Sequence, residues 1–71
     1  MANKIFKIGT LLYDDEDKEW ELIISVEQKP NGFSYDIHNS NSDTFTITGS
    51  GLNRMVEKGF WKVEYEPQEE V

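Results

Sequence analysis

The sequence predicts a small α+β domain, an antiparallel sheet with one short helix in the order β-β-β-β-α-β. Three observations carry that expectation. Apolar residues alternate with polar ones in five separate runs, the period of half-buried strands. Turn-forming residues punctuate the runs at Asp14–Lys18, Pro30–Gly32 and Asn39–Asp43. Between Gly49 and Gly59 the period changes to that of a helix.

Lys4 to Tyr13 reads as the first strand, with Phe6, Ile8, Thr10 and Leu12 on one face and a bend at Gly9. Lys18 to Lys29 is the second. Its alternation puts Trp20, Leu22, Ile24 and Val26 inward and Glu19, Glu21, Ile23, Ser25 and Glu27 outward. Pro30-Asn31-Gly32 then closes a hairpin, since proline presets φ and Asn-Gly accepts positive φ. Phe33 to Asn39 and Thr44 to Thr48 are the third and fourth strands, with Phe33, Tyr35, Ile37, Phe45 and Ile47 inward. Leu52, Met55 and Val56 recur at helical spacing, with Ser50 as the expected N-cap and Gly59 at the C-terminal stop. Phe60 to Tyr65 is the last strand, with Trp61, Val63 and Tyr65 inward. Residues 1–66 are thus expected to form one domain and 67–71 an acidic, frayed tail.

Composition limits what such a domain does. The chain has 71 residues, 14 acids against 7 bases and no cysteine. Disulfides and thiolate metal sites are excluded, and a reducing, cytoplasmic location is expected. No run approaches the ~20 apolar residues of a membrane span. A net charge of −7 opposes direct binding to nucleic acid or anionic lipid and favours a basic partner.

The charge is unevenly placed. Asp14, Asp15, Glu16, Asp17, Glu19 and Glu21 crowd one predicted turn, and Glu64, Glu66, Glu69 and Glu70 crowd the C-terminus. On the predicted outer face, Glu19 and Glu21 stand about 6.6–6.8 Å apart, two residues along a strand. That spacing is comparable to successive phosphates of a nucleic acid backbone. Glu27, Asp36, Glu64 and Glu66 extend the predicted acidic surface.

Other constellations are weaker. Asp15, Asp17 and Glu19 echo a calcium loop but lack its glycine and its twelfth-position glutamate. His38 is the single histidine, a poor basis for a zinc site or a hydrolase, and no nucleophile motif accompanies it. Gly49-Ser50-Gly51 lacks the lysine of a phosphate-binding loop. The aromatic residues fall mostly on predicted inward positions and read as core rather than as a base-stacking platform. Ile23 and Phe60, predicted outward, mark an apolar contact or a homodimer seam, with packing against the helix as the equal alternative. No cofactor, metal or catalytic residue is expected.

In length, charge and the placement of Asp14–Glu21 and Glu64–Glu70, the chain resembles small acidic phage-encoded DNA-mimic inhibitor proteins, and most specifically inhibitors of the bacterial HU nucleoid protein. The resemblance implies a non-enzymatic bacteriophage inhibitor acting at the host nucleoid. Its acidic surface would occupy the DNA-binding site of a basic host protein. The alternative is an interaction or assembly module that uses Ile23 and Phe60, with the charge serving solubility.

Overall fold

The computed structural model describes residues 4–68. Five strands, β1 (Leu11–Asp14), β2 (Glu19–Lys29), β3 (Gly32–Asn39), β4 (Thr44–Thr48) and β5 (Trp61–Tyr65), form one antiparallel sheet in the order β4-β3-β2-β1-β5. The helix α1 (Gly49–Glu57) links β4 to β5 across one face. The order β-β-β-β-α-β is the expected one. Among the described residues no helix is long and apolar enough to cross a membrane.

The local signals account for most boundaries. Lys29 faces Gly32 across a two-residue turn at Pro30-Asn31, and Gly32 has φ +139°. The β3–β4 loop is held by Asn39, whose Oδ1 accepts from the Asn41 and Asp43 amides at 3.0 and 2.9 Å. The helix begins two residues earlier than expected. Thr48, not Ser50, is the N-cap, its Oγ1 accepting from Gly51 N at 3.1 Å. The stop is as expected. Gly59 sits at φ +80°, its amide donates to Val56 O, and Phe60 N donates to Met55 O. That pair of bonds is a Schellman closure.

The core lies between the sheet and the helix: Phe6, Leu12, Ile23, Tyr35, Ile37, Leu52 and Trp61, flanked by Val26, Phe33, Phe45, Ile47, Met55, Val56 and Val63. Among the described residues nothing covers the opposite face of the sheet.

Expected side-chain positions are overturned in three segments. In β2, Glu21 and Ile23 point into the core, while Trp20, Leu22 and Ile24 are exposed. The register between β2 and β3 slips between Ile23 and Ser25, so Ile23 faces Ile37 and Val26 faces Tyr35. This bulge inserts one residue and reverses the parity of everything before it. Val26 is inward as expected; Trp20, Leu22 and Ile24 are not. Tyr65 is likewise exposed, because a shift between Leu11 and Leu12 sets Tyr65 opposite Leu11 and Val63 opposite Leu12. Ile8 is exposed because the first segment turns at Ile8-Gly9 (Gly9 φ +94°) instead of running straight. Only Leu11–Asp14 of that segment is strand.

The segment before the turn is still held firmly. Asn53 of the helix accepts from Lys4 N and donates to Lys4 O, both at 2.9 Å, as a neighbouring strand would. Phe6 N donates to the Tyr35 hydroxyl at 3.0 Å. Beyond β5, Pro67 is half-buried against Gly9, where an added Cβ would lie 3.1 Å from its ring. The remainder of the expected tail, 69–71, lies outside the described residues.

Candidate functional site: the acidic end of the sheet

An up-and-down meander sends alternate connections to the same end of a sheet. The β1–β2 turn, the β3–β4 loop and the α1–β5 turn therefore share one end. They bring together Asp14, Asp15, Glu16, Asp17, Glu19, Glu21, Asp43 and Glu57. Lys18, Arg54, Lys58 and Lys62 are the bases of that end. The helix C-terminus lies there too, and the negative end of its dipole adds to the local charge. The opposite end carries Lys4, Lys7 and Lys29, with Lys4 paired to Glu66 and Lys29 Nζ 3.6 Å from Glu27. The fold thus separates an end of excess negative charge from an end where charge is largely compensated.

The expected acidic residues divide into distinct roles. Asp14 is buried and shapes the turn: its Oδ1 accepts from Glu16 N at 3.0 Å and Asp17 N at 3.1 Å. Those bonds fix Asp15, Glu16 and Asp17 on the exposed outside of the turn. Asp15 Oδ1 is 3.9 Å from Lys18 Nζ, an exposed pair of little energetic weight. Glu19 is half-buried and directly opposite Asp14 on the helix side of the sheet.

Glu21 is the largest departure from expectation. It is 2% exposed, lies between Leu12 and Asn39 on the neighbouring strands, and its Oε1 has no hydrogen-bond partner among the described residues. Burial, followed by the charges of Glu19, Asp14 and Asp17, pushes its pKa up to about 7. The expected outward pair of Glu19 and Glu21 at phosphate-like spacing is therefore not formed. The bulge in β2 turns both side chains toward the helix side.

The remaining acids lie elsewhere. Asp36 is on the uncovered face, where its Oδ1 accepts from Thr46 Oγ1 at 2.6 Å. Glu27, Glu64 and Glu66 are exposed and remote from the turn, Glu27 and Glu66 beside lysines. Asp43 and Glu57 join the acidic end unforeseen. The signal that locates them is strand order, since the parity of a meander decides which loops meet.

His38 is exposed on β3 and its Nδ1 lies 3.0 Å from Thr44 Oγ1. Of the two residues expected as an apolar contact, Phe60 is exposed, but Ile23 is fully buried in the core. The bulge is again the reason.

The architecture is a small α+β sheet with one helix-covered face. The chain matches no protein-family model, no curated protein and no solved structure.

Proposed function

We propose that the protein is a non-enzymatic inhibitor that binds a basic DNA-binding protein and excludes its DNA, an HU-like nucleoid protein being the favoured target. The observation that carries this reading is the gathering of carboxylates at one end of the sheet. Burial first, and then the charges of Glu19, Asp14 and Asp17 in this group, raise the Glu21 pKa to about 7. Asp15, Glu16 and Asp17 project from a turn pinned by Asp14, so they meet a partner with little further ordering. Glu19, Asp43 and Glu57 flank them. The role of these charges is long-range steering and pairing with lysine and arginine. Mimicry here is of a concentrated negative potential, not of a row of phosphates along a strand.

The test is competition between this protein and a DNA duplex for purified HU. Inhibition is expected to fall steeply between about 50 and 300 mM salt. Reversing Asp15, Glu16 and Asp17 to lysine together is expected to weaken inhibition at least tenfold, while reversing Glu27 and Glu64 has a small effect. Equal inhibition by the triple variant would reject the acidic end as the site.

A second reading is an interaction or assembly module that works through exposed apolar residues. It is favoured by Phe60, 46% exposed beside the helix stop. Ile23 plays no part in it. This reading expects salt-tolerant capture of a partner and its loss in Phe60→Ser.

A further inference from the structure

Glu21 is buried among acids and beside no base. On its own strand Glu19 stands two residues away, and Asp14 of β1 and Asp17 of the following turn add their charges to it. From β3 comes Asn39, which is neutral and whose Oδ1 is taken by the Asn41 and Asp43 amides. From β5 comes Trp61, whose Nε1, like Glu21 Oε1, is buried without a hydrogen-bond partner among the described residues. The charged residues of the helix end, Arg54, Glu57 and Lys58, are exposed, as is Asp43 of the β3–β4 loop. Lys18 is exposed beside Asp15, and Lys62 lies opposite Tyr13 on the other side of the sheet. Among the described residues no base pairs with Glu21.

We propose that a basic partner docking at the acidic end drives the proton off Glu21, so that binding there strengthens as pH rises; this rests on the reading of that end as the partner-binding surface. A carboxyl in the interior without a partner favours its neutral form, because an unpaired buried charge is costly. The neighbouring carboxylates add repulsion to that cost. Lysines that pair with Asp17 and Glu19 cancel the repulsion and bring positive charge close, and both effects favour the ionised form. The proton passes from the Glu21 carboxyl to solvent, and the end gains one negative charge. By reciprocity, the ionised protein is the tighter binder.

The pKa of about 7, raised from 4.5, puts this exchange near neutrality. The coupling is modest, because burial is the first cause of the shift and docking at the turn does not reverse it. If docking makes Glu21 about tenfold more acidic, binding is about fivefold tighter at pH 8 than at pH 6. The same change releases about 0.4 proton per complex at pH 7. Docking also relieves part of the strain that an ionised Glu21 places on the fold.

The test is calorimetry of the full chain with N-acetylated decalysine, whose groups do not titrate between about pH 6 and 8, at about 50 mM salt. Two buffers of different ionisation enthalpy count the protons released. Release near pH 7 and a rise in affinity of about fivefold from pH 6 to 8 are expected. Glu21→Gln, checked for retained circular dichroism, is expected to match the parent at pH 6 and to lose both the release and the rise. Every other titrating group, His38 included, is common to the two proteins. In the parent, the Glu21 carboxyl carbon followed by NMR is expected to titrate at lower pH with decalysine bound. A titration unmoved by bound decalysine, a variant that keeps the rise, or no binding of decalysine overturns the inference. Inhibition of HU with a Glu21 titration that does not move on complex formation sinks this inference alone. Proton release to decalysine without inhibition of HU supports it and rejects the HU reading.

Discussion

The ring of Phe45 on β4 meets the indole of Trp61 on β5, with centroids 6.3 Å apart and planes at 57°, although β4 and β5 are the two outer edges of the sheet. Edge strands of a flat five-stranded sheet are separated by four strand spacings of about 4.8 Å. The contact therefore requires the sheet to curl strongly around its helix side. Trp61 is 6% exposed and Phe45 is half-buried, so the two rings close the core over the floor made by the central strands. Trp61→Ala is expected to cost about 3–5 kcal/mol. In chemical denaturation of the single and double alanine variants, the Phe45–Trp61 coupling is expected at about 0.5–1.5 kcal/mol. Strict additivity would show that the two edges are held independently.

Glu21 gives stability an unusual dependence on pH. Its folded-state pKa is raised to about 7 from 4.5. Below pH 4.5 the group is protonated in both states and costs nothing. As pH rises from 4.5 to 7 the unfolded state ionises first, so stability falls, reaching a penalty of up to about 3 kcal/mol above pH 7. Glu21→Gln is expected to remove most of this slope and to raise the melting temperature at pH 8 more than at pH 5. An unchanged slope would place the buried charge elsewhere.

Asp14 separates geometry from charge at the acidic turn. Asp14→Ala removes the acceptor for the Glu16 and Asp17 amides and is expected to cost about 1–2 kcal/mol. Asp14→Asn keeps an acceptor oxygen and removes a charge opposite Glu19, so it is expected to be near neutral or stabilising. Thermal melts of the two variants in the same buffer decide it; equal losses would show that charge, not the turn bonds, matters.

Asn53 ties the segment before β1 to the helix by two hydrogen bonds to Lys4 and a third to Gly49 O at 2.9 Å. Asn53→Ala is expected to cost about 1–3 kcal/mol. It should also speed tryptic cleavage after Lys4 and Lys7 more than cleavage after Lys29. Uniform acceleration at all three would indicate global rather than local loosening.

Tyr35 places a hydroxyl in the core to receive the Phe6 amide at 3.0 Å. Tyr35→Phe keeps the edge-on ring contact with Phe6 but leaves that amide buried without a partner. A loss of about 1–3 kcal/mol is expected by urea denaturation. A neutral substitution would mean that water reaches the Phe6 amide.

Much of the fold was legible from residue order. Pro30-Asn31-Gly32 marks its turn, and the alternation of Phe33, Tyr35 and Ile37 places β3 correctly on both faces. Gly59 stops the helix where a left-handed residue is needed. What failed was parity. Trp20, Leu22 and Ile24 are the more apolar set of β2, and period-two reasoning assigns the more apolar set to the core. A bulge costs only one unpaired residue and carries no side-chain signature at Ile24, so nothing in the pattern reveals it. Glu21 is in the interior because Ile23 must be. The same limit applies to the candidate site. The exposed acids of the turn, Asp15, Glu16 and Asp17, were visible as a run, whereas Asp43 and Glu57 reach that end only through strand order.

The bulge at Ile23–Ser25 makes this chain sensitive to length rather than to content. Substituting Ile24 changes one wet side chain. Deleting it would move either Trp20–Ile23 or Ser25–Lys29 to the other side of the sheet, exchanging a greasy exterior for a carboxylate one across half of a strand. A single codon's worth of spacing thus sets which face of the molecule is sticky and which is charged.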